Sequence, residues 1–389
     1  PAISALATQG VTFMDAVAPA PWTLPTLASV HSSLYPSEHA VIGAKTRLHN
    51  SVETLAETLK RAGYRTIGVV SNRFASTNYG MAQGFDDFDD SQIVGHHDLS
   101  SEGITRIAIE KLGKADGPPV FLWVHYFDPH FTFVRHPQFG FAEGYTGRFG
   151  DQISITDIRE ALTDGGVSED DVSYTKDVYD EEIAFTDKWI GELLRTDGLN
   201  GARKTLTILT ADHGEYFMER GRFFHGEDVY RELVHVPLII AGDIDVDRHG
   251  TQVADTVSLT SIPATIMSHL GIAEHSFNGV NLLGGQEELR GVPVFAEGSH
   301  LWGRVKNNEA IITPKWKLIH TPETGEMELY NRHEDPAELD NLYTGSLSPD
   351  LQPLLTQLSA FPAETITETA EAETSPETIR QLEALGYVE

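Results

Sequence analysis

A short polar cluster, Asp212-His213-Gly214-Glu215, directly follows an apolar run at residues 206–209. The run predicts a buried strand of a parallel sheet, because such strands are apolar throughout and rich in β-branched residues. Open α/β sheets place their ligands at the carboxyl ends of strands. An oxygen donor and a nitrogen donor side by side suit zinc or manganese, and less well calcium. Asp212 and His213 are therefore candidate metal ligands, and a solvated Asp-His pair at a strand end is the simpler alternative.

Other polar residues follow apolar stretches in the same way. Residues 119–124 predict a strand, and a polar stretch from His125 to His130 comes directly after it. Asn72 follows a predicted strand at residues 66–70, and His225 lies on a loop rich in glycine and phenylalanine. A doubly wound sheet would place such strand ends along one edge, where a site can form.

Thr23 and Thr26 lie at or near the start of a predicted helix that extends to residue 33, after the prolines at positions 19 and 21. A hydroxyl group at a helix N-terminus lies in a region of positive potential, which attracts anions. The commoner role of such a threonine is to cap the helix. The two roles are compatible.

The composition is that of a globular protein. With 389 residues the chain can bury a large core and is expected to form a main domain and a smaller part. No stretch approaches the ~18 consecutive apolar residues of a membrane span. The absence of cysteine excludes a disulfide framework, a thiolate zinc site and a thiol nucleophile. The formal charge of −30 argues against nucleic-acid binding, because a polyanion would be repelled.

Predicted strands and helices alternate through most of the chain. Residues 236–240 predict another buried strand, and helices are predicted at residues 52–63, 103–112, 172–194 and 258–270. This alternation predicts an α/β fold with a doubly wound, mostly parallel sheet flanked by helices. Residues 1–11 predict a short helix with a glycine stop, and a parallel sheet rarely starts on a helix. We therefore expect a strand upstream of Pro1.

The pattern changes after about residue 271. Residues 310–320 and 327–330 predict short antiparallel strands, and residues 332–341 predict a turn and a capped helix. Residues 362–377 are rich in Thr, Glu, Ala and Pro and are expected to be mobile, and residues 379–385 predict a last helix. The expected division is a catalytic domain at residues 1–271, an antiparallel α+β subdomain at residues 272–361 and an acidic tail at residues 362–389.

Several stretches that are weak singly form a specific pattern in their order and spacing. They are residues 3–13, 21–29 with 34–39, 128–130, 179–187, 212–215, 225–226 with 236–238, and 328–330 with 334–336. Through this pattern the chain resembles the sulfatase branch of the alkaline phosphatase superfamily over essentially its whole length. The resemblance implies an alkaline phosphatase-like fold and a metal-dependent hydrolase or transferase acting on sulfate or phosphate esters.

The resemblance also implies a metal site. Relatives with this pattern hold one or two divalent ions, for which calcium, manganese and zinc are candidates here. Asp212, His213 and the nucleophile Thr23 match ligands of that site, while two further aspartates of the family lie on a strand upstream of Pro1. The 389-residue chain is therefore expected to supply only part of the site, and to be inactive and less stable by itself.

Thr23 falls where the family nucleophile sits. Sulfatases proper carry there a cysteine or serine that is oxidised to formylglycine within a Cys/Ser-x-Pro-x-Arg pattern, whereas this chain has Thr23 and, in place of the arginine, Leu27. No formylglycine is expected, because threonine cannot give that aldehyde. A family Lys-x-His pair is also absent, and Asn72 with its neighbours occupies that region. Threonine nucleophiles occur in relatives that act on phosphodiesters and phosphonate esters, where metal coordination lowers the pKa of the hydroxyl group.

The resemblance assigns roles to the remaining residues. Thr23 is expected to attack phosphorus or sulfur, His225 to bind a non-bridging oxygen or protonate the leaving group, and His130, with Asn72, to contact the substrate. The other histidines, including His125, are more simply interpreted as packing or capping residues.

A second hypothesis is a non-catalytic relative that binds anionic or glycan ligands, motivated by Leu27 and the absent Lys-x-His pair. As an enzyme, the protein is expected to take a small-molecule, lipid-headgroup or glycan ester. Family resemblance favours a location outside the cytoplasm, although this chain contains no targeting region.

Overall fold

A computed structural model describes residues 1–93, 100–113, 117–197, 199, 204–298, 307–362 and 369–373. The helices are α1 (Ala2–Thr8), α2 (Thr23–Ser32), α3 (Pro36–His39), α4 (Leu55–Arg61), α5 (Ser101–Leu112), α6 (Ile155–Thr163), α7 (Glu169–Leu194), α8 (Arg231–Val234), α9 (Ile262–Leu270), α10 (Gln286–Leu289) and α11 (Gln352–Ser359). The strands are β1 (Gly10–Val17), β2 (Thr46–Arg47), β3 (Arg65–Val70), β4 (Asp87–Asp89), β5 (Val120–His125), β6 (Phe133–Val134), β7 (Gln152–Ile153), β8 (Leu206–Thr210), β9 (Tyr216–Phe217), β10 (Phe223–Phe224), β11 (His235–Gly242), β12 (Thr251–Ser258), β13 (Val294–Glu297), β14 (Glu309–Ile312), β15 (Trp316–Thr321), β16 (Glu326–Asn331) and β17 (Ala370–Glu371).

Two sheets lie between the helices. One has the order β4-β3-β5 with parallel pairing, and the other has the order β12-β1-β11-β8. In the second sheet β1 and β12 are parallel, whereas β11 runs antiparallel to both β1 and β8. The predicted α/β fold with a sheet flanked by helices is confirmed. The strand at residues 206–209 is also found, but its partner in the described residues is antiparallel.

A large cavity separates the two sheets. It has a volume of about 1150 Å³, and every residue of β5 and of β8 lines it. Both strands lie at the end of their sheet, so each has one hydrogen-bonded neighbour among the described strands. As a result, all residues of β5 and β8 are partly exposed, and the predicted full burial of residues 206–209 is wrong.

The long helix α7 begins at a capping box. Ser168 accepts a hydrogen bond from the backbone N–H of Asp171, whose carboxylate accepts one from the backbone N–H of Ser168. On the same helix, the carboxylate of Asp187 accepts hydrogen bonds from the backbone N–H groups of Ala2 and Ile3 at the start of α1. The helix thereby fixes α1 beside the sheet that contains β1, β8 and β11.

A third sheet, β13-β14-β15-β16, is antiparallel throughout and forms the C-terminal sheet. It confirms the predicted antiparallel strands, and α11, which the sequence analysis missed, packs against it. The predicted helix within residues 332–341 is wrong: this segment forms turns, and Glu338 has a left-handed backbone with φ of +55°. The proposed domain boundaries stay a prediction, and the predicted helix at residues 379–385 lies outside the described residues.

Within the part of the chain that the structure describes, no helix combines the length and the hydrophobicity needed to cross a bilayer.

Candidate active site

Thr23 is the first residue of α2. The preceding residue, Trp22, has an extended backbone and ends the proline-containing turn before the helix. Thr23 itself is 2% exposed, and its Oγ1 lies 3.2 Å from Nε2 of His213. The hydroxyl group is therefore directed from a helix N-terminus, with its positive potential, towards the loop that follows β8.

The loop after β8 turns at Gly214. The Gly214 N–H donates to the carbonyl oxygen of Leu233 at 2.7 Å, and a Cβ atom at this position would lie only 2.1 Å from the carbonyl oxygen of Glu232. Only glycine permits this close approach. The Gly214 carbonyl oxygen lies 2.8 Å from Nδ1 of His213, which must donate because a carbonyl oxygen can only accept. This hydrogen bond turns Nε2 of His213 towards the Thr23 hydroxyl group.

Asp212 lies beside His213 and His125. Its Oδ2 is 3.6 Å from Nε2 of His213 and 3.9 Å from Nε2 of His125. Burial alone would raise the pKa of Asp212, but the two imidazoles and a hydrogen bond from Thr23 outweigh burial and hold the pKa well below its usual range. Asp212 is consequently a carboxylate at neutral pH and an anionic oxygen donor within the cluster.

His225 is paired with Glu215. Its Nδ1 lies 3.0 Å from Oε2 of Glu215, and both side chains are buried. Burial raises the pKa of Glu215 to about 8, against an opposing effect of His213. Burial, with His213 next to it, lowers the pKa of His225 well below its usual value. The two groups therefore share one hydrogen at neutral pH and form a pair without net charge.

Five of the predicted site residues lie close together, and a sixth, Asn72, lines the same cavity. The His225 ring lies 4.1 Å from the His213 ring and 5.1 Å from the His130 ring, measured between centroids. Thr23, Asp212, His213, His130 and His225 thus form one cluster. Asn72 lines the same cavity, but its Oδ1 accepts a hydrogen bond from the backbone N–H of Phe74 at 2.7 Å.

Two residues that contact the cluster were not predicted as site residues. His125, which the sequence analysis interpreted as a packing or capping residue, is the last residue of β5, and its Nε2 lies 3.9 Å from Oδ2 of Asp212. Glu215 is part of the quoted Asp-His-Gly-Glu motif, but the motif gives no indication that it would contact His225, ten residues later. His125 could have been predicted from its position at a strand end, five residues before the predicted site residue His130.

The cluster contains oxygen and nitrogen atoms of the kinds that bind a divalent cation. Asp212 Oδ2, His213 Nε2 and Thr23 Oγ1 meet at one place, and a hydrogen bond from Nδ1 of a histidine to a backbone carbonyl oxygen orients Nε2 for metal ligation. Next to them, His125 Nδ1 and Glu215 Oε1 are buried without a hydrogen-bond partner among the described residues. Within those residues no group of three or more His, Cys, Asp or Glu side chains is arranged to hold a metal ion. The described residues thus present suitable donors for part of a divalent-cation site.

Comparisons with known proteins agree on one family. The family model described as Sulfatase matches residues 1–272. Choline-sulfatase from Rhizobium meliloti (strain 1021) is 24% identical over 92% of this chain and 80% of that protein. Arylsulfatase K from Mus musculus is 29% identical over 46% of this chain, and the match spans only 34% of that protein.

The fold comparison agrees. The crystal structure of the phosphonate monoester hydrolase of Agrobacterium radiobacter superimposes with a TM-score of 0.70 at 19% identity, covering 96% of this chain and 95% of that chain. At this identity the likeness supports the fold alone. The family match, in contrast, covers well over half of the sequence. The chain therefore belongs to the sulfatase family of the alkaline phosphatase-like superfamily.

Proposed function

We propose that this protein is a phosphodiesterase or phosphonate-ester hydrolase in which Thr23 is the nucleophile. The observation that carries the proposal is the 3.2 Å contact between Thr23 Oγ1 and His213 Nε2, with the anionic Asp212 beside it. Members of the sulfatase family generally use divalent metal ions. Asp212, His213 and Thr23 would hold such an ion together with ligands outside this group, and the bound ion would lower the pKa of the Thr23 hydroxyl group.

The chain's own residues supply the remaining chemistry. Thr23 gives its hydroxyl proton to solvent, and its Oγ attacks phosphorus in line and forms a phosphothreonine ester, while the bond between phosphorus and the leaving oxygen breaks. The hydrogen bond between Glu215 and Nδ1 assigns Nε2 of His225 to the leaving oxygen, which takes a proton from Nε2 while the hydrogen of Glu215 moves to Nδ1. His130, whose ring is 5.1 Å from that of His225, binds a non-bridging oxygen. Water then adds its hydroxyl group to phosphorus and gives its proton to the His225–Glu215 pair, while Thr23 leaves and takes up a proton from solvent.

The threonine also supports the choice of ester. A threonine cannot form the aldehyde hydrate through which formylglycine sulfatases release sulfate. The similarity to choline-sulfatase and to a phosphonate monoester hydrolase supports a small-molecule ester as substrate.

The test compares an aryl phosphodiester with the matching aryl sulfate, using the product of the complete gene as well as the 389-residue chain. We expect faster turnover of the phosphodiester, and loss of both activities in Thr23→Ala. Thr26→Ala is the matched control, because Thr26 lies on the same helix but donates to the carbonyl oxygen of Ala20. Sulfate preference that survives Thr23→Ala would show that Thr23 is not the nucleophile.

The alternative, a relative that binds anions without chemistry, is supported by Leu27. This residue takes the place of the family arginine and is buried in an apolar cluster with Trp22 and Phe74. The two functions differ in one measurement: a binding protein would retain a sulfated or phosphorylated glycan without any turnover in the presence of manganese, zinc or calcium.

A further inference from the structure

We propose that the C-terminal sheet is a support that positions His225, and that Lys317 and Glu338 are positioning residues for the reaction. This inference rests on the proposed role of His225. The support acts through residues 228–231, which follow His225 in the chain and precede the body of α8. We refer to these four residues as the docking segment.

His225 lies in a stretch that has little secondary structure of its own. Strand β10 ends at Phe224 and α8 begins at Arg231, with bends and coil between them. The residues on either side of His225 have left-handed backbones, with φ of +74° at Phe224 and +95° at Gly226. A non-glycine residue in this region persists only where its surroundings fix it. The position of the imidazole therefore depends on contacts from outside the stretch.

Successive residues of the docking segment contact successive parts of the C-terminal sheet. Asp228 Oδ1 accepts from Nδ2 of Asn308, which directly precedes β14, at 3.1 Å. The Val229 carbonyl oxygen accepts from Nζ of Lys317 on β15 at 2.5 Å. The Tyr230 hydroxyl group donates to Glu328 on β16 at 2.7 Å. Three polar contacts at consecutive positions fix both the register and the direction of the segment.

Lys317 and Glu338 form the centre of this interface. They are 1% and 2% exposed, and Lys317 Nζ lies 3.0 and 2.8 Å from the two carboxylate oxygens of Glu338. Glu338 also accepts from the backbone N–H of Arg231 at 3.0 Å. A buried pair of charges is costly to break from one side, because the remaining charge is left uncompensated. The pair thus holds the end of the docking segment firmly.

A second cation closes the interface from the β9–β10 side. The Arg220 guanidinium lies 3.7 Å from the centre of the Tyr230 ring and donates to the carbonyl oxygens of Ala337 and Glu338. Tyr216, next to Glu215, packs in the same apolar cluster as Val229 and residues of the C-terminal sheet. Both partners of the Glu215–His225 pair are therefore tied to this sheet through a neighbouring residue.

The experiment compares two double variants that each replace a partly or fully buried ion pair of the C-terminal sheet. Lys317→Met/Glu338→Gln removes the pair at the docking segment. Asp15→Asn/Arg332→Met is the matched control, because Arg332 joins the same sheet to β1. Hydrogen exchange of peptides that cover residues 224–231 and the separate values of kcat and KM are measured for both variants in the product of the complete gene.

We expect Lys317→Met/Glu338→Gln to accelerate exchange in residues 224–231 by ~10-fold, and to lower kcat by ~10- to 100-fold with a much smaller change in KM. The control should change neither quantity, even at an equal loss of Tm. If Lys317→Met/Glu338→Gln does not fold, it is replaced by Tyr230→Phe, which removes one hydrogen bond and keeps the ring. Equal exchange in the test and control variants would overturn the inference. An unchanged kcat in His225→Ala would instead refute the proposed function, because the exchange measurement does not depend on turnover.

Discussion

The strands that border the cavity and the strands of the C-terminal sheet differ in the exposure of their apolar side chains and in the partners of their buried polar atoms. Every residue of β5 and β8 is partly exposed, and buried nitrogen and oxygen atoms near their ends have no partner among the described residues. In β14 and β15, Ile311 and Leu318 are fully buried, and the buried charge of Lys317 is matched by Glu338. Among the described residues, the first region leaves apolar side chains partly exposed and some polar atoms without a partner, whereas the second buries both kinds of group with partners. We infer that chemistry and stability are divided between them.

The largest expected effect lies on the cavity side. Asp212→Ala removes the anionic donor of the cluster, and we expect it to lower activity by at least ~10²- to 10³-fold, with little change in Tm. Metal content by mass spectrometry should fall in parallel. Asp243→Ala is the matched control, since Asp243 lines the other end of the same cavity. An undiminished metal content in Asp212→Ala would contradict the assignment of Asp212 as a ligand.

A smaller effect is expected at the residue that orients His225. Glu215→Gln preserves shape but changes the group that binds Nδ1, so Nε2 no longer carries the required hydrogen in every molecule. We expect kcat to fall by ~10- to 100-fold, with KM nearly constant. Glu227→Gln, on the same loop but exposed and paired with Arg222, should have wild-type kinetics. A rise in KM with an unchanged kcat would indicate that Glu215 affects binding rather than orientation.

The next prediction compares the two regions directly through leucines of equal size. Leu318→Ala leaves a cavity in the fully buried C-terminal sheet and should reduce the free energy of unfolding by ~2–5 kcal/mol. Leu209→Ala removes a side chain that already faces the open cavity, so a loss of only ~1 kcal/mol is expected. Denaturant unfolding of both variants measures the difference. Equal losses would show that the cavity side is as important for stability as the C-terminal sheet.

The smallest effect concerns pH. Burial raises the pKa of Glu297 on β13 to about 7, against hydrogen bonds from Ser37 that lower it. Since the folded state holds this proton more tightly than the unfolded state, stability is lost as pH rises from about 4.5 to 7. Glu297→Gln should remove ~1–3 kcal/mol of this pH dependence. The measurement is the difference in Tm between the two proteins at pH 5 and pH 8. An unchanged difference would show that Glu297 titrates normally in the folded protein.

Patterns that are local in sequence predicted much of the fold and part of the cluster. Helix α7, from its fourth residue onwards, and the apolar β3, β5 and β8 were predicted from residue spacing, and Asp212 with His213 from the strand end, whereas the cap of α7 was not predicted. Contacts between distant residues were not predicted. A turn and a capped helix were predicted at residues 332–341, but the burial of Glu338 against Lys317 favours a left-handed turn there. The Glu215–His225 pair likewise depends on the antiparallel pairing of β9 with β10, which brings the two residues together.

Among the described strands, β5 and β8 each have one edge without a partner, which has a consequence for the behaviour of this chain in solution. An unpaired strand edge presents backbone N–H and C=O groups that can pair with an edge of another molecule, and an apolar lining makes that pairing more favourable. The formal charge of −30 opposes such association by mutual repulsion. Salt screens that repulsion but leaves hydrogen bonds between strands nearly unaffected. The balance between a dispersed and an associating protein is thus set by the ionic strength of its surroundings.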